Sequence, residues 1–398
     1  MLWNLVFGIL ACFSLICLIW QWVSAVRFPL HQRSARSAKA VPVSILKPLK
    51  GVDEHTLACL RSWVDQDYPG GVQLLFGVNS SSDSVCELIE ELRKSCPDRS
   101  IELVVCPKSL GANAKVSKLV QLERLAAHEI VVVSDADVFV PADLLSSLVA
   151  PLEDRTVAMV NCFYRQASPS SLPMRLEAVG TNADFWSQVL QGRTIAAQDF
   201  ALGAVMATRR TDLRSMGGFE ALVDHLADDF QLGHRLAVSD RRIDLCPVVV
   251  ECREPAMNWR AVWNHQVRWQ RTIRVCKPVP YALSILANPL LWPLVIALTH
   301  PTRLGLGLLV VAIVIRLCVT ADLLRRISPG SRDWRWFWLA PLKDAVGAAL
   351  WLAAFAGNRV QWRGIVYRLR RDGRLERADA PHPSGSASDG SLTREKWP

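Results

Sequence analysis

The sequence predicts an α/β fold built on a mostly parallel sheet, flanked at both ends by apolar helices long enough to cross a membrane. Three observations predict it. Short apolar runs alternate with amphipathic stretches between about residues 43 and 133, the first 26 residues carry no charge, and the apolar pattern returns after about residue 275.

The N-terminal segment, residues 1–26, exceeds the roughly 20 helical residues that cover a hydrocarbon core of about 30 Å. It lacks the positive start and short apolar core of a cleaved signal peptide, so it reads as an anchor. Arg27, Arg33, Arg36 and Lys39 follow at once in a basic linker, residues 27–41. By the positive-inside rule they place the next domain on the cytoplasmic side.

Residues 42–275 then read as one catalytic α/β domain. Apolar runs at 43–46, 72–78, 101–106 and 130–133 have the length of strands buried on both faces. Amphipathic stretches at 56–64, 84–94 and 115–125 read as the intervening helices. Such sheets bind ligands beyond the carboxyl ends of their strands, which directs attention to the residues after each run.

Residues 276–357 are read as membrane segments, with candidate spans at 279–298, 304–321 and 334–356. Arg316 interrupts the second, and Lys343 and Asp344 the third. Three crossings would put the basic stretch 359–377 outside, against the charge rule, unless one candidate lies in the interface. Residues 358–398 are expected to be a basic tail that turns small and polar from Pro381, a composition that favours disorder.

Composition narrows the partners. Lys and Arg outnumber Asp and Glu by 46 to 37, a net charge of +9, while 51% of residues are hydrophobic. The excess charge lies beside the apolar spans, which favours an anionic lipid surface over nucleic acid. The 15 Trp against 4 Tyr agree, since Trp anchors at the bilayer interface. None of the 11 Cys forms a CxxC pair, and Cys12, Cys17 and Cys318 sit in apolar runs, so reduced thiols in a cytosol-facing protein are expected.

Four places carry chemistry. Asp135 and Asp137 directly follow the run at 130–133, where two carboxylates two residues apart suit a divalent cation, Mg2+ or Mn2+, bridging to phosphates. Asp83 follows the run at 72–78, either as an acceptor for a base or ribose or as a helix cap. Asp228 and Asp229 open the helix expected at 230–237. Neighbouring helical residues point about 100° apart, so one of them alone faces a given site as a proton acceptor. The basic, Trp-rich stretch 259–274 reads as an interfacial helix with His265, Arg268 and Trp269 on one face. Lys47 and Lys50 after the first strand, and Asn113 and Lys115 in a glycine-containing loop before a helix, are lesser anion-binding candidates. His55, His225 and His300 lack metal-ligand spacing.

Together these residues resemble the ceramide glucosyltransferase family, in the GT-A class of inverting glycosyltransferases. The stretch VSILKPLKGVDEHTLACLRSWVDQDYP looks like that family's first strand and helix, and the resemblance covers roughly residues 41–277. It implies a nucleotide-binding role for Asp83, a metal and diphosphate role for Asp135, and the catalytic base at Asp229. It places the final motif on His265 to Trp269, with His265 where the family has Gln or Arg. The donor-binding set is then Asp83, Asp135, Lys50, Asn113, Lys115, His265, Arg268 and Trp269, with Asp135 and Asp137 on the metal.

The resemblance implies an integral membrane enzyme of a bacterial inner membrane. It would move a sugar from a UDP-sugar to a lipid hydroxyl. Ceramide is one acceptor. The stretch HQVRWQRTIR is similar also to a bacterial branch that adds N-acetylglucosamine to hopanoid polyols. A polysaccharide synthase needs more spans than this chain offers, and a non-catalytic scaffold would not keep the aspartates.

Overall fold

The computed structural model describes residues 2–33, 40–362 and 364–378. Arg36, Lys39 and the tail from Pro381 lie outside the described residues. A 26-residue helix, Leu2–Arg27, leads into the first strand, in keeping with its uninterrupted apolar sequence.

Eight strands form one sheet: β1 Val43–Pro48, β2 Val72–Val78, β3 Ser100–Val105, β4 Ile130–Ser134, β5 Val138–Phe139, β6 Val157–Gln166, β7 Val205–Arg209 and β8 Arg242–Cys252. They lie in the order β3-β2-β1-β4-β7-β6-β8-β5. β3, β2, β1 and β4 are mutually parallel, joined by the crossover helices Thr56–Val64, Val85–Ser95 and Ala114–Glu123. β7 runs antiparallel between β4 and β6, and β5 antiparallel beside β8.

Successive strand residues point to opposite faces. Val43, Ile45, Leu74, Phe76 and Val132 therefore pack on one side with Leu60, Trp63 and Ile89. Leu46, Leu75, Val131 and Val133 pack on the other with Val116, Leu119 and Leu232. Helices thus cover both faces, which is why these strands read as unbroken apolar runs rather than as alternating ones.

A third cluster joins the sheet to the apolar helices. Phe163 of β6, with Leu176 and Trp186 from the segment after it, packs on Leu18 of the N-terminal helix and on Val319 and Leu323 of the helix Arg303–Ile327. Among the described residues, three helices are long and apolar enough to cross a membrane: 5–27, Arg303–Ile327 and Asp333–Phe355. Leu5, Ile9 and Ile16 point outward on the first, Val310, Val311 and Val314 on the second, and Leu352 on the third.

The stretch expected to span at 279–298 is instead two apolar helical pieces, Pro278–Ala287 and Leu291–Thr299, bent by 51°. Asn288-Pro289 causes the break. Proline disfavours helix at the residue before it, and Asn288 Oδ1 caps the second piece by accepting from Leu291 N at 3.0 Å.

The basic stretch 359–377 departs from its expected character as a bare tail. It folds into a second, antiparallel sheet of β9 Arg359–Trp362, β10 Ile365–Leu369 and β11 Leu375–Arg377. Val360, Tyr367, Leu369 and Leu375 pack on Leu226 of the catalytic domain, and Leu375 N donates to Asp224 O at 2.7 Å. Arginine at many of the intervening positions hid this apolar set from a reading of composition. All 11 cysteines are free thiols, but Cys12 and Cys318 face outward on the apolar helices rather than inward.

Candidate active site

The site lies at the carboxyl ends of β1 and β4. The buried strand β4 ends at Ser134, and Asp135-Ala136-Asp137 forms the turn into β5. Lys47 of β1 is fully buried in the neighbouring strand, and its Nζ donates to Asp135 O at 2.6 Å and Ser134 Oγ at 3.2 Å. Burial lowers its pKa to about 8 against the attraction of Asp137 and Asp135. The sequence placed Lys47 just past the first strand, whereas the structure extends β1 to Pro48 and makes it a buried strand residue. Lys50 lies on the exposed loop three residues further on.

Asn113 caps the helix Ala114–Glu123, its Oδ1 accepting from Lys115 N and Val116 N. Its Nδ2 donates to His225 O at 2.8 Å, so this buried amide works as a structural clamp. The clamp sets Lys115 in the first turn, where its ammonium lies 2.8 Å from Asp135 Oδ1 and 3.0 Å from Asp228 Oδ2. Burial opposes that charge, yet Asp135 and Asp228 together raise the lysine's pKa above its usual value.

The helix Asp228–Val238 opens on the acid pair. The two side chains part as their spacing requires: Asp228 meets Lys115, while Asp229 Oδ1 accepts from Phe230 N at 2.7 Å. Burial, then the neighbouring Asp228, pushes Asp229 up to about 6. The loop before β7 passes between the two halves of the site. Ala204 O accepts from Asp135 N at 3.3 Å, and Gly203 lies so close that a Cβ there would stand 2.7 Å from Asp229 Oδ2.

Burial, then Asp135 and Glu254, pushes Asp137 up to about 7. A divalent cation between Asp135 and Asp137 would remove that repulsion, so this donor set fits one. Asp83 sits at the next strand end, where its Oδ1 accepts from Gly51 N at 2.9 Å and Val85 N at 3.1 Å. It thereby ties the loop after β1 to the start of the helix Val85–Ser95.

The helix Trp259–Cys276 carries the remaining candidates, started by Asn258 Oδ1 accepting from Ala261 N. His265 packs edge-on against Trp269 with ring centroids 4.8 Å apart. His265 and Arg268 line a cavity of about 520 Å³ together with Glu254, Asn264 and Gln361. Glu254 links the two regions, since it faces His265 and Arg268 and its charge also reaches Asp137. Glu177 and Glu254 were not legible as site residues in the sequence: Glu177 lies within a helix, and the strand that Glu254 follows was not read from the apolar pattern.

A mostly parallel sheet with acids at adjoining strand ends, flanked by a basic helix, is the arrangement of a GT-A-like glycosyltransferase fold. Over its length the chain matches a solved mannosyltransferase from Pyrobaculum calidifontis in complex with GDP-Man and Mn2+, with a TM-score of 0.52 and 20% identity, covering 89% of this chain and 97% of that one. The chain belongs to glycosyl transferase family 21, whose model matches residues 6–375. Among curated relatives, ceramide glucosyltransferase 3 of Caenorhabditis elegans is 25% identical over 224 residues, 54% of this chain and 47% of the relative. A ceramide glucosyltransferase of Komagataella phaffii is 29% identical over 160 residues, 36% of this chain and 31% of that protein. The chain thus spans less than half the length of these relatives.

Proposed function

We propose that this protein is a membrane-held inverting glycosyltransferase that moves a sugar from a UDP-sugar to the hydroxyl of a membrane lipid, of the ceramide glucosyltransferase type. The observation that carries the reading is the Asp135–Lys115–Asp228 bridge, which gathers strand-end acids from β4 and the acid pair of the helix Asp228–Val238 around one point. Family membership supplies the reaction class.

In this reading Asp229 is the base. Its carboxylate accepts the proton of the attacking lipid hydroxyl, and a pKa near 6 keeps it ionised at neutral pH yet basic enough to act. Lys115 and Lys47 place positive charge beside the diphosphate, while Asp83 meets the nucleoside. Arg268 and His265 meet the donor from the helix above, and Trp269 fixes the imidazole. Asp135 and Asp137 would hold a divalent cation, Mg2+ or Mn2+, whose charge makes the diphosphate a better leaving group. Asn113 acts through Lys115 rather than on the donor.

The architecture supports a lipid acceptor and catalysis at a membrane face, which we read as the cytoplasmic side of a bacterial inner membrane. The sheet β9–β11 packs on the catalytic domain, so both ends of residues 276–358 lie on one side. An even number of crossings follows. The bent pair and the helix Arg303–Ile327 provide it, because Asp333, just past that helix, pairs with Arg165 of β6 at 3.2 Å, so Asp333–Phe355 starts on the catalytic side and lies along the interface. That arrangement returns the basic stretch 359–377 to the cytoplasm and satisfies the charge rule.

A polyol acceptor is the second reading, favoured by the polar cavity wall of Asn258, Asn264 and Gln361. The test is transfer by detergent-solubilised enzyme, crossing UDP-glucose and UDP-N-acetylglucosamine with ceramide and a hopanoid polyol. Glucosylated ceramide is the expected product. N-acetylglucosamine on the polyol would keep the mechanism and replace the acceptor, and no glycolipid from any pairing would overturn the reading.

A further inference from the structure

We infer that Glu177, Glu254 and His265 form a second cation site, separate from the Asp135–Asp137 pair, that takes a divalent transition metal such as Mn2+ or Zn2+. The three residues come from three elements: the helix Leu172–Val179, the segment after β8, and the helix Trp259–Cys276. One donor atom from each lies within 4.8 Å of the other two.

The contact between imidazole and carboxylate is the first reason. His265 Nδ1 lies 2.9 Å from Glu177 Oε1, close enough for a hydrogen bond. Yet the pair is not aligned as one, and Nδ1 is buried with no hydrogen-bond partner. Two donors held at right angles on one ion at about 2.1 Å stand about 3 Å apart. The spacing is that of two ligands sharing an ion.

Glu177 gives the second, independent reason. Its side chain is 1% exposed, and its Oε2 has no hydrogen-bond partner. Gln266 Nε2 and His265 both attend to Oε1 alone. Natural proteins rarely leave a buried carboxylate oxygen unsatisfied, because its lost hydration is not replaced.

Charge and access agree. Two carboxylates carry two negative charges, of which Arg268 beside Glu254 offsets one, and a divalent cation still meets an acidic donor set. One nitrogen with two oxygens suits Mn2+ or Zn2+ better than Mg2+ or Ca2+, which favour oxygen throughout. Trp269 restrains the imidazole from its edge. Glu254 and His265 line the 520 Å³ cavity, which provides an entry path and room for a water or a hydroxyl-bearing ligand.

The test reads cation binding without turnover, so it is independent of the transfer reaction. Full-length protein in detergent is stripped with a chelator, dialysed against Mn2+ or Zn2+, and assayed for metal per chain. Native protein is expected to hold two equivalents of at least one of these ions. His265→Ala and Glu254→Gln should each lose one equivalent and keep the other, while Asp137→Asn should show the converse loss. Thermal melting in chelator identifies a variant that has failed to fold, and the paired variant then decides. No metal in native protein, or native stoichiometry in folded His265→Ala and Glu254→Gln, would overturn the site. Loss confined to Asp137→Asn would support the active-site cation alone.

Discussion

Arg316 and Asp184 meet in a two-pronged ion pair, with Nη1 to Oδ1 and Nη2 to Oδ2 each at 2.8 Å. Arg316 sits midway along the apolar helix Arg303–Ile327, and Asp184 in the π-helical turn Gly180–Phe185 after β6. Asp344 of the helix Ala340–Phe355 takes the remaining guanidinium face at 2.8 and 2.9 Å, and Lys343 also pairs with Asp184. Two cations and two carboxylates cancel. These are the charges that interrupt the candidate spans in the sequence, and they bolt the catalytic domain to both helices.

Balanced charge makes a non-additive outcome expected. Arg316→Met leaves two buried carboxylates facing one lysine, and losing one partner of a buried pair costs about 3–5 kcal/mol. Adding Asp344→Asn restores neutrality, since Lys343 still matches Asp184. The double variant should therefore melt at a higher temperature than Arg316→Met alone in detergent. A double variant that melts lower would show that geometry rather than charge balance sets the cost.

Acid should silence the enzyme in two stages. In the proposed reading Asp229, raised to about 6, acts as base only when ionised, so kcat/KM with bound cation should fall about tenfold per unit below about pH 6. Asp137, raised to about 7, must lose its proton to take a cation, so cation affinity should weaken as pH falls through about 7. Asp229→Asn should abolish transfer and leave UDP-sugar affinity within a few-fold, as titration calorimetry would measure. Equal loss of affinity and turnover would remove Asp229 from the base role.

Much of this site was legible because burial writes itself into sequence. The apolar run at 130–133 marked β4 as a strand covered on both faces, and that fixed Asp135 and Asp137 at its end. The helical step between Asp228 and Asp229 likewise anticipated their different partners. Other features were not legible. Lys47 and Lys50 both stand at the end of the first apolar run, and only the pleat decides which one reaches the Asp135 carbonyl. Glu177 and Glu254 reach His265 through long-range packing that no local pattern encodes. The sheet β9–β11 was hidden because its apolar positions alternate with arginines, which dominate composition.

Topology gives a direct check on the bent pair. Leu375 pairs with Asp224, so the end of the second sheet lies on the side of the catalytic domain. A reporter fused after residue 378 should report the same compartment as one inserted at the exposed loop near Ser82, on the cytoplasmic side. A cysteine replacing Pro301, in the exposed connection between the bent pair and the helix Arg303–Ile327, should react with a membrane-impermeant thiol reagent from the opposite side alone. Opposite compartments for the two reporters would mean an odd number of crossings and overturn this topology.

Gly203 offers the sharpest probe of geometry without touching a charge. Its backbone runs beside the base, and the Cβ of Gly203→Ala would lie 2.7 Å from Asp229 Oδ2, closer than real Cβ contacts allow. The same loop is pinned from the other side, where a Cβ at Gly233 would meet Ala201 N at 2.4 Å, so it has little room to retreat. The carboxylate must move instead, and Asp229 Oδ1 then loses its alignment with Phe230 N. Misplacing a base by even 1 Å costs up to about 100-fold in rate. Gly203→Ala should therefore lower kcat by about 10- to 100-fold while the KM for donor changes little, with the melting temperature near that of the native protein. A variant with native kcat would mean that Asp229 is free to shift, and that its position beside Gly203 is not the one from which it takes the proton.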